Sequence, residues 1–272
     1  MHSAPTWDPR QYLRHADHRT RPFQDLLARI PEPPAHSPRI ADLGCGPGNV
    51  TAILTERWPT AHVTGFDNSA PMLADARAYA GRTPRGGLLD FRHADLGHWV
   101  PDERYDLIVS NAALQWVPGH TASFPAWTDA LTPGGIFAFQ VPGNADAPSH
   151  AILRELCGSR RWSTRLGEAG RRRVAVLEPA DYLERLAGPG REVDAWETTY
   201  LHLLTGEDPV LDWIKGTGLR PVLTALADDP AATEEFLATY RGRLREAYPP
   251  GPHGTVFPFR RIFAVVRKGG MT

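Results

Sequence analysis

Short apolar runs that end on an acid or an amide recur along this chain. Between them lie stretches whose apolar positions fall three and four apart. Arg39-Ile40-Ala41 ends at Asp42, and His62 to Phe66 ends at Asp67. Leu88 runs to Asp95, Tyr105 to Ser110 leads into Asn111, and Ile136 to Val141 forms a fifth run. Glu192 to Leu204 and Arg260 to Val266 read as two later strands. Strand and helix in alternation predict an α/β fold, a doubly wound sheet with helices on both faces. Ahead of the first strand, Asp8-Pro9 starts a helix carrying Tyr12, Leu13 and Ala16, and Pro22 opens a second with Phe23, Leu26, Leu27 and Ile30. Pro31-Glu32-Pro33-Pro34 then breaks the chain. Residues 142–190 are less regular and rich in Arg, Asp208-Pro209 starts a helix, and Leu219 to Tyr248 reads as helical. The expected organisation is one domain over 1–272: a helical lid (1–38), a core (39–141), an insertion (142–190) and C-terminal strands with a helical insertion (191–272).

The corner between the first strand and first helix carries the sharpest signal. Asp42 is followed by Gly44, Gly46, Gly48 and Asn49. Glycines here allow backbone angles closed to other residues and let a ligand approach the main chain. A dinucleotide corner runs G-x-G-x-x-G with a pyrophosphate on the helix N-terminus. This one runs G-x-G-x-G behind a carboxylate, which repels phosphate and attracts an ammonium group. S-adenosylmethionine (SAM) has that group, a positive sulfonium and no phosphate.

Other candidates lie at the same strand ends. Asp67, about 20 residues past the glycines, is placed to accept ribose hydroxyls, with Asn68 beside it. Ser69-Ala70-Pro71 reads as a cap and first helical turn. Met72 follows, lying over adenine or filling the core. Asp95 is placed for the adenine amino group with Leu96 packing beside it, and Asn111 to Trp116 should line the cleft, because ligands of open α/β sheets bind at that edge.

Composition narrows the classes. With 42% hydrophobic residues the 272-residue chain can bury a real core. Its net charge of -1 gives no global pull toward nucleic acid or an anionic membrane. The basic residues are nearly all Arg, Lys215 and Lys268 excepted, and Arg supplies planar forks for carboxylates. Cys45 and Cys157 make neither a disulfide framework nor a metal spacing, which fits a reducing cytoplasm. The chain has no signal-peptide pattern and no membrane-length apolar run. No metal is expected, and the oligomeric state is open.

The glycine loop resembles the first motif of class I SAM-dependent methyltransferases. W-D-P-R-Q-Y-L, R-T-R-P-F, D-L-G-C-G-P-G-N, G-F-D-N-S-A-P-M, S-N-A-A-L-Q-W-V-P, W-E-T-T-Y-L-H and F-P-F-R-R-I-F together resemble the trans-aconitate 2-methyltransferase family. The resemblance implies a Rossmann-like sheet with helical pieces covering the cleft, SAM as cofactor, and methyl transfer to a carboxylate of trans-aconitate. A carboxylate with a pKa near ~4 is already ionised at neutral pH and needs no general base. No Ser-His-Asp or Cys-His arrangement is evident, and none is required. The other carboxylates of such a substrate need cationic and hydrogen-bonding partners, for which Tyr12, Arg19, Gln115, Trp116, His202, Arg220 and Arg260 are the candidates. Packing competes as the role of Tyr12 and Trp116, and pairing with surface acids as that of Arg220 and Arg260. The alternative activity is SAM-dependent O-methylation of another small acid or hydroxyl; a SAM-binding protein without turnover is the reading from a different class.

Overall fold

The structure is a computed structural model, and it describes residues 16–166 and 176–270. Tyr12, the helix expected from Asp8 and the arginines at 171–173 lie outside the described residues. In chain order the elements are α1 (Ala16–Ala28), β1 (Arg39–Leu43), α2 (Ala52–Arg57), β2 (His62–Asp67), α3 (Ala70–Ala76), β3 (Gly81–Arg82), β4 (Leu88–His93) and β5 (Tyr105–Asn111). They continue with α4 (Phe124–Asp129), β6 (Leu131–Pro142), α5 (Pro148–Gly158), α6 (Ser163–Leu166), α7 (Pro179–Leu186), β7 (Arg191–Leu204), α8 (Pro209–Lys215), α9 (Arg220–Ala225), α10 (Pro230–Ala247) and β8 (Thr255–Lys268).

The strands form one sheet in the order β3-β4-β2-β1-β5-β6-β8-β7. β1 lies at its centre, parallel to β2 and β5, with Asp42 opposite Gly65 on one side and Val109 on the other. β5 is buried along nearly its whole length, Leu107, Ile108 and Val109 completely. A parallel strand covered on both faces reads as a continuous apolar run for that reason. β8 runs antiparallel to β6, with Gln140 opposite Phe263 and Pro142 opposite Arg261.

The described chain divides into two compact units. One comprises 17–143, 176–198 and 261–270; the other comprises 16, 144–166 and 199–260. The first holds the parallel strands around a core that includes Leu43, Phe66, Ile108, Trp127, Phe137, Phe139 and Tyr182. The second is mainly helical, and Trp162, Trp213, Phe236, Tyr240 and Phe257 anchor its own core. Among the described residues no helix is long and apolar enough to cross a membrane.

Two local expectations change. Pro22 does not open a helix but lies inside α1. Burial of Phe23, Leu26 and Leu27 offsets the roughly 3 kcal/mol cost of an interior proline. The helical stretch expected from Leu219 to Tyr248 breaks between Ala225 and Pro230, where the Ala232 amide donates to Asp229 Oδ1 at 2.9 Å and caps α10. Thr132-Pro133-Gly134-Gly135 falls inside β6 as an irregularity: Tyr105 pairs with Leu131 and Leu107 with Ile136.

Candidate functional site

The ends of β1, β2 and β5 bring Asp42, Asp67 and Asn111 to one edge of the first unit, with the glycine loop between them. The loop folds onto β2. Gly44 and Cys45 amides both donate to the Phe66 carbonyl (2.7 and 3.0 Å), and the Gly46 amide donates to Asp67 Oδ2 at 2.9 Å. All three glycines have positive φ: 80°, 56° and 82° for Gly44, Gly46 and Gly48. Their surroundings differ. A Cβ on Gly44 would meet Ala113 Cβ at 2.1 Å, and one on Gly48 would meet Phe91 at 2.9 Å and Ala76 at 3.0 Å; one on Gly46 would meet nothing within 4 Å. Packing therefore demands glycine at 44 and 48, whereas Gly46 leaves room for a ligand against the main chain.

Asp42 is buried, and its Oδ2 accepts from Thr51 Oγ1 at 2.6 Å. Its Oδ1 is buried with no hydrogen-bond partner among the described residues, and so is Asn49 Oδ1. Buried acceptors in this state call for a donor. Burial pushes the Asp42 carboxyl up to about 7; Thr51 opposes the shift and the Asp67 charge adds to it. Burial also raises Asp67, against its bonds from the Ser69 and Gly46 amides. Asp67 Oδ1 accepts from Ser69 at 2.8 Å, so each oxygen already has one backbone partner and keeps a further lone pair for a ligand. Cys45 is buried in the same loop, and burial first, then the two aspartates, holds its thiol protonated far above its ordinary range.

Asn68 is exposed, and Met72 is buried in the first turn of α3 beside Leu73. Asp95 accepts from the Gly97 amide at 3.0 Å and pairs with His98 Nδ1 at 2.9 Å, a pairing that holds its carboxyl below the usual range. Leu96 is buried, and its Cδ1 would lie 3.6 Å from a Cβ on Gly44, next to the loop.

The turn after β5 is unusual. Ala112 has φ 53°, the one positive value outside glycine among the described residues, and such a conformation persists only where neighbours enforce it. Here the Ala112 amide donates to the Gln140 carbonyl at 2.9 Å, and Gln115 Nε2 donates to the Ala112 carbonyl at 2.5 Å. Gln115 Oε1 is buried without a partner among the described residues. Trp116 ends the same short helical turn, partly exposed.

The remaining candidates separate by unit. Arg19 lies in α1 of the first unit with Gln115 and Trp116, while His202, Arg220 and Arg260 belong to the second. His202 is buried, its ring 4.8 Å from that of Trp213 and nearly parallel to Tyr200. Arg220 is the first residue of α9. The Arg260 backbone is gripped by one side chain, its amide donating to Asn144 Oδ1 at 2.8 Å and its carbonyl accepting from Asn144 Nδ2 at 2.9 Å.

Sequence reasoning missed Thr51, Gln140 and Arg261. The last two are buried and linked: Arg261 Nη1 donates to Gln140 Oε1 at 3.3 Å, and Gln140 Nε2 donates to Asn111 Oδ1 at 2.5 Å. The signal was parity, since Thr255, Phe257, Phe259, Arg261 and Phe263 share the buried phase of β8. Chemically, the edge offers unfilled acceptors at Asp42, Asn49 and Asp67 and open main chain at Gly46. That fits a ligand bearing an ammonium and ribose hydroxyls.

Residues 40–135 match a family model described as a methyltransferase domain. The chain is 65% identical over 266 residues to a trans-aconitate 2-methyltransferase of Streptomyces avermitilis, covering 98% of both chains. It is 64% identical to one from Streptomyces coelicolor, covering 98% of this chain and 88% of that protein, and 50% identical to one from Rhodococcus jostii, covering 96% and 99%. Among solved structures, a SAM-dependent methyltransferase from Geobacter sulfurreducens in complex with S-adenosyl-L-homocysteine superposes with a TM-score of 0.53 at 18% identity, covering 96% of this chain and 98% of that one. At that identity the likeness speaks for the fold.

Proposed function

The chain belongs to the trans-aconitate 2-methyltransferase family, and from that premise we propose that it methylates a carboxylate of trans-aconitate or a close polycarboxylate, giving a monomethyl ester. It is a SAM-dependent methyltransferase with a Rossmann-like fold. The observation that carries the acceptor is the 64–65% identity sustained over 98% of the chain. SAM, when bound, supplies an electrophilic sulfonium methyl.

The residues divide the work as follows. Asp42 Oδ1 receives the ammonium, its buried orphan oxygen being the strongest support. Asn49 takes a further donor, and Asp67, with Asn68 beside it, accepts the ribose hydroxyls. Gly44, Gly46 and Gly48 shape the loop, and Met72, Asp95 and Leu96 surround the adenine. Asn111 faces the reacting end. Because the nucleophilic carboxylate is ionised without help, no side chain removes a proton. What the protein contributes is alignment of carboxylate oxygen, methyl and sulfur away from water, which supplies roughly 7–11 kcal/mol in well-oriented reactions. Tyr12, Arg19, Trp116, His202, Arg220 and Arg260 are assigned to the carboxylates that are not methylated. Gln115 stands with them, although its orphan Oε1 suits a protonated or N–H-bearing group better than a carboxylate. The whole of 1–272 acts as one methyltransferase domain with its cofactor core in 39–141. A cytoplasmic setting is supported by the two free, buried cysteines.

The test is a panel of acceptors under saturating SAM. The value of kcat/KM for trans-aconitate should exceed that for monocarboxylates, phenols and alcohols by about a hundredfold or more, as the loss of even one charged hydrogen bond costs about 10–100-fold. A phenol or alcohol outperforming every acid would overturn the assignment.

A further inference from the structure

Two buried groups and a partly buried one stand in a row across the sheet of the first unit. Asn111 on β5 is directly opposite Gln140 on β6, and Gln140 is opposite Phe263 on β8. Arg261, two residues from Phe263, is therefore the diagonal neighbour of Gln140 on the same face, within reach of a long side chain. The bonds run in one direction: Arg261 Nη1 to Gln140 Oε1 at 3.3 Å, then Gln140 Nε2 to Asn111 Oδ1 at 2.5 Å. Gln140 is fully buried and Arg261 is 4% exposed.

The direction follows from chemistry. A guanidinium has five N–H donors and no acceptor, whereas an amide has one end of each kind and can turn over. Facing Arg261, Gln140 must show its oxygen, so its NH2 must face Asn111. Asn111 must then show its oxygen to Gln140, and its own NH2 is left for the open end of β5. We propose that Arg261 is a positioning residue that acts through Gln140 to fix the polarity of Asn111, so that two N–H donors face a carboxylate oxygen at the methyl-transfer site.

That carboxylate is either the acceptor's or the methionine carboxylate of SAM. Gln140 holds the turn in a second way, because its backbone carbonyl accepts from the amide of Ala112, whose φ is 53°. The relay thus orients the side chain of Asn111, while the backbone bond holds the residue after it. None of this uses Arg260, the neighbour that the sequence singled out.

The proposal rests on the strand edge being the methyl-transfer site, so the test separates the two. Gln140→Glu is the decisive variant. Glutamate still accepts from Arg261 but has no N–H to give, and Asn111 must turn over to donate to it and show its oxygen to the ligand. Every bond is kept and the polarity is reversed. Calorimetry with SAM and kcat/KM for trans-aconitate are measured with the melting temperature. We expect at least about a tenfold loss in one of them: in SAM affinity if the carboxylate is the cofactor's, in kcat/KM at unchanged SAM affinity if it is the acceptor's.

A second set guards against a folding defect. Arg261→Lys keeps a donor-only group and should stay within a few-fold of wild type, whereas Arg261→Gln can present either end and should fall with Gln140→Glu. Wild-type values for Gln140→Glu in both measurements, or Lys and Gln at 261 behaving alike, would overturn the relay. Failure of the functional assignment would look different, as wild type and variants alike would leave trans-aconitate unmethylated.

Discussion

Asp42 is where the physics of one side chain has the widest reach. Its folded pKa of about 7 lies above the unfolded value near 4, burial being the main cause. Between those values the native state holds a proton that the unfolded chain has lost. Stability of the ligand-free protein therefore falls as pH rises from about 4 to 7, and the penalty is fully present above that. Asp42→Asn removes it and should stabilise the ligand-free protein at pH 8 by on the order of 2–4 kcal/mol, with little effect at pH 4. Binding should show the opposite dependence. An ammonium needs the carboxylate, so SAM affinity should rise with pH up to about 7 and then level, with a proton released on binding below that point. Calorimetry in two buffers of different ionisation enthalpy reads that proton; a flat affinity with no release would separate Asp42 from the ammonium. Asp67→Ala should weaken SAM binding by about 2–4 kcal/mol from two charge-assisted contacts. It should also lower the melting temperature, because the Gly46 and Ser69 amides lose their acceptor.

At the scale of elements, β8 shows what could be read in advance and what could not. The glycine corner was legible because everything it needs is local: a strand ending at Asp42, glycines at fixed spacing, and Asp67 at the end of the next strand. Arg261 and Gln140 were not, because their meaning depends on which residues face each other across β5, β6 and β8, and register is a property of pairing rather than of one segment. Arg260 drew attention as the first residue of the expected last strand, within the F-P-F-R-R run, yet alternation buries its neighbour instead. Proline misled in α1, where tertiary burial outweighs a local break. The arginine assignment can still be checked at this scale. Arg19→Lys and Arg260→Lys keep charge but lose the planar fork. Each should lower kcat/KM for trans-aconitate by about 2–4 kcal/mol, leaving SAM affinity and transfer to a monocarboxylate nearly unchanged. Wild-type activity in both variants would remove these two residues from the acceptor site. In the helical unit, burial and then Arg154 push His150 down to about 4. Its contribution to stability is therefore lost as pH falls from about 6.5 through 4, opposite to the trend set by Asp42. His150→Gln should flatten that part of the acid-denaturation profile by about 2 kcal/mol; an unchanged profile would show that His150 does not drive it.

For the whole molecule, the catalytic account comes down to what is brought together and what is not needed. A net charge of -1 gives no long-range attraction for a trianion, so selection must come from close contacts, where arginine forks are worth most. The chemistry asks for an ionised carboxylate and a positioned sulfonium, with no proton to move. The most direct measurement is the product itself. The protein is incubated with methyl-labelled SAM and trans-aconitate, and the labelled product is treated with mild alkali. One labelled methyl per acceptor, released as methanol by the alkali, is the expected result, because a carboxylate oxygen yields an ester. No transfer to trans-aconitate, or a labelled product stable to alkali, would contradict the account.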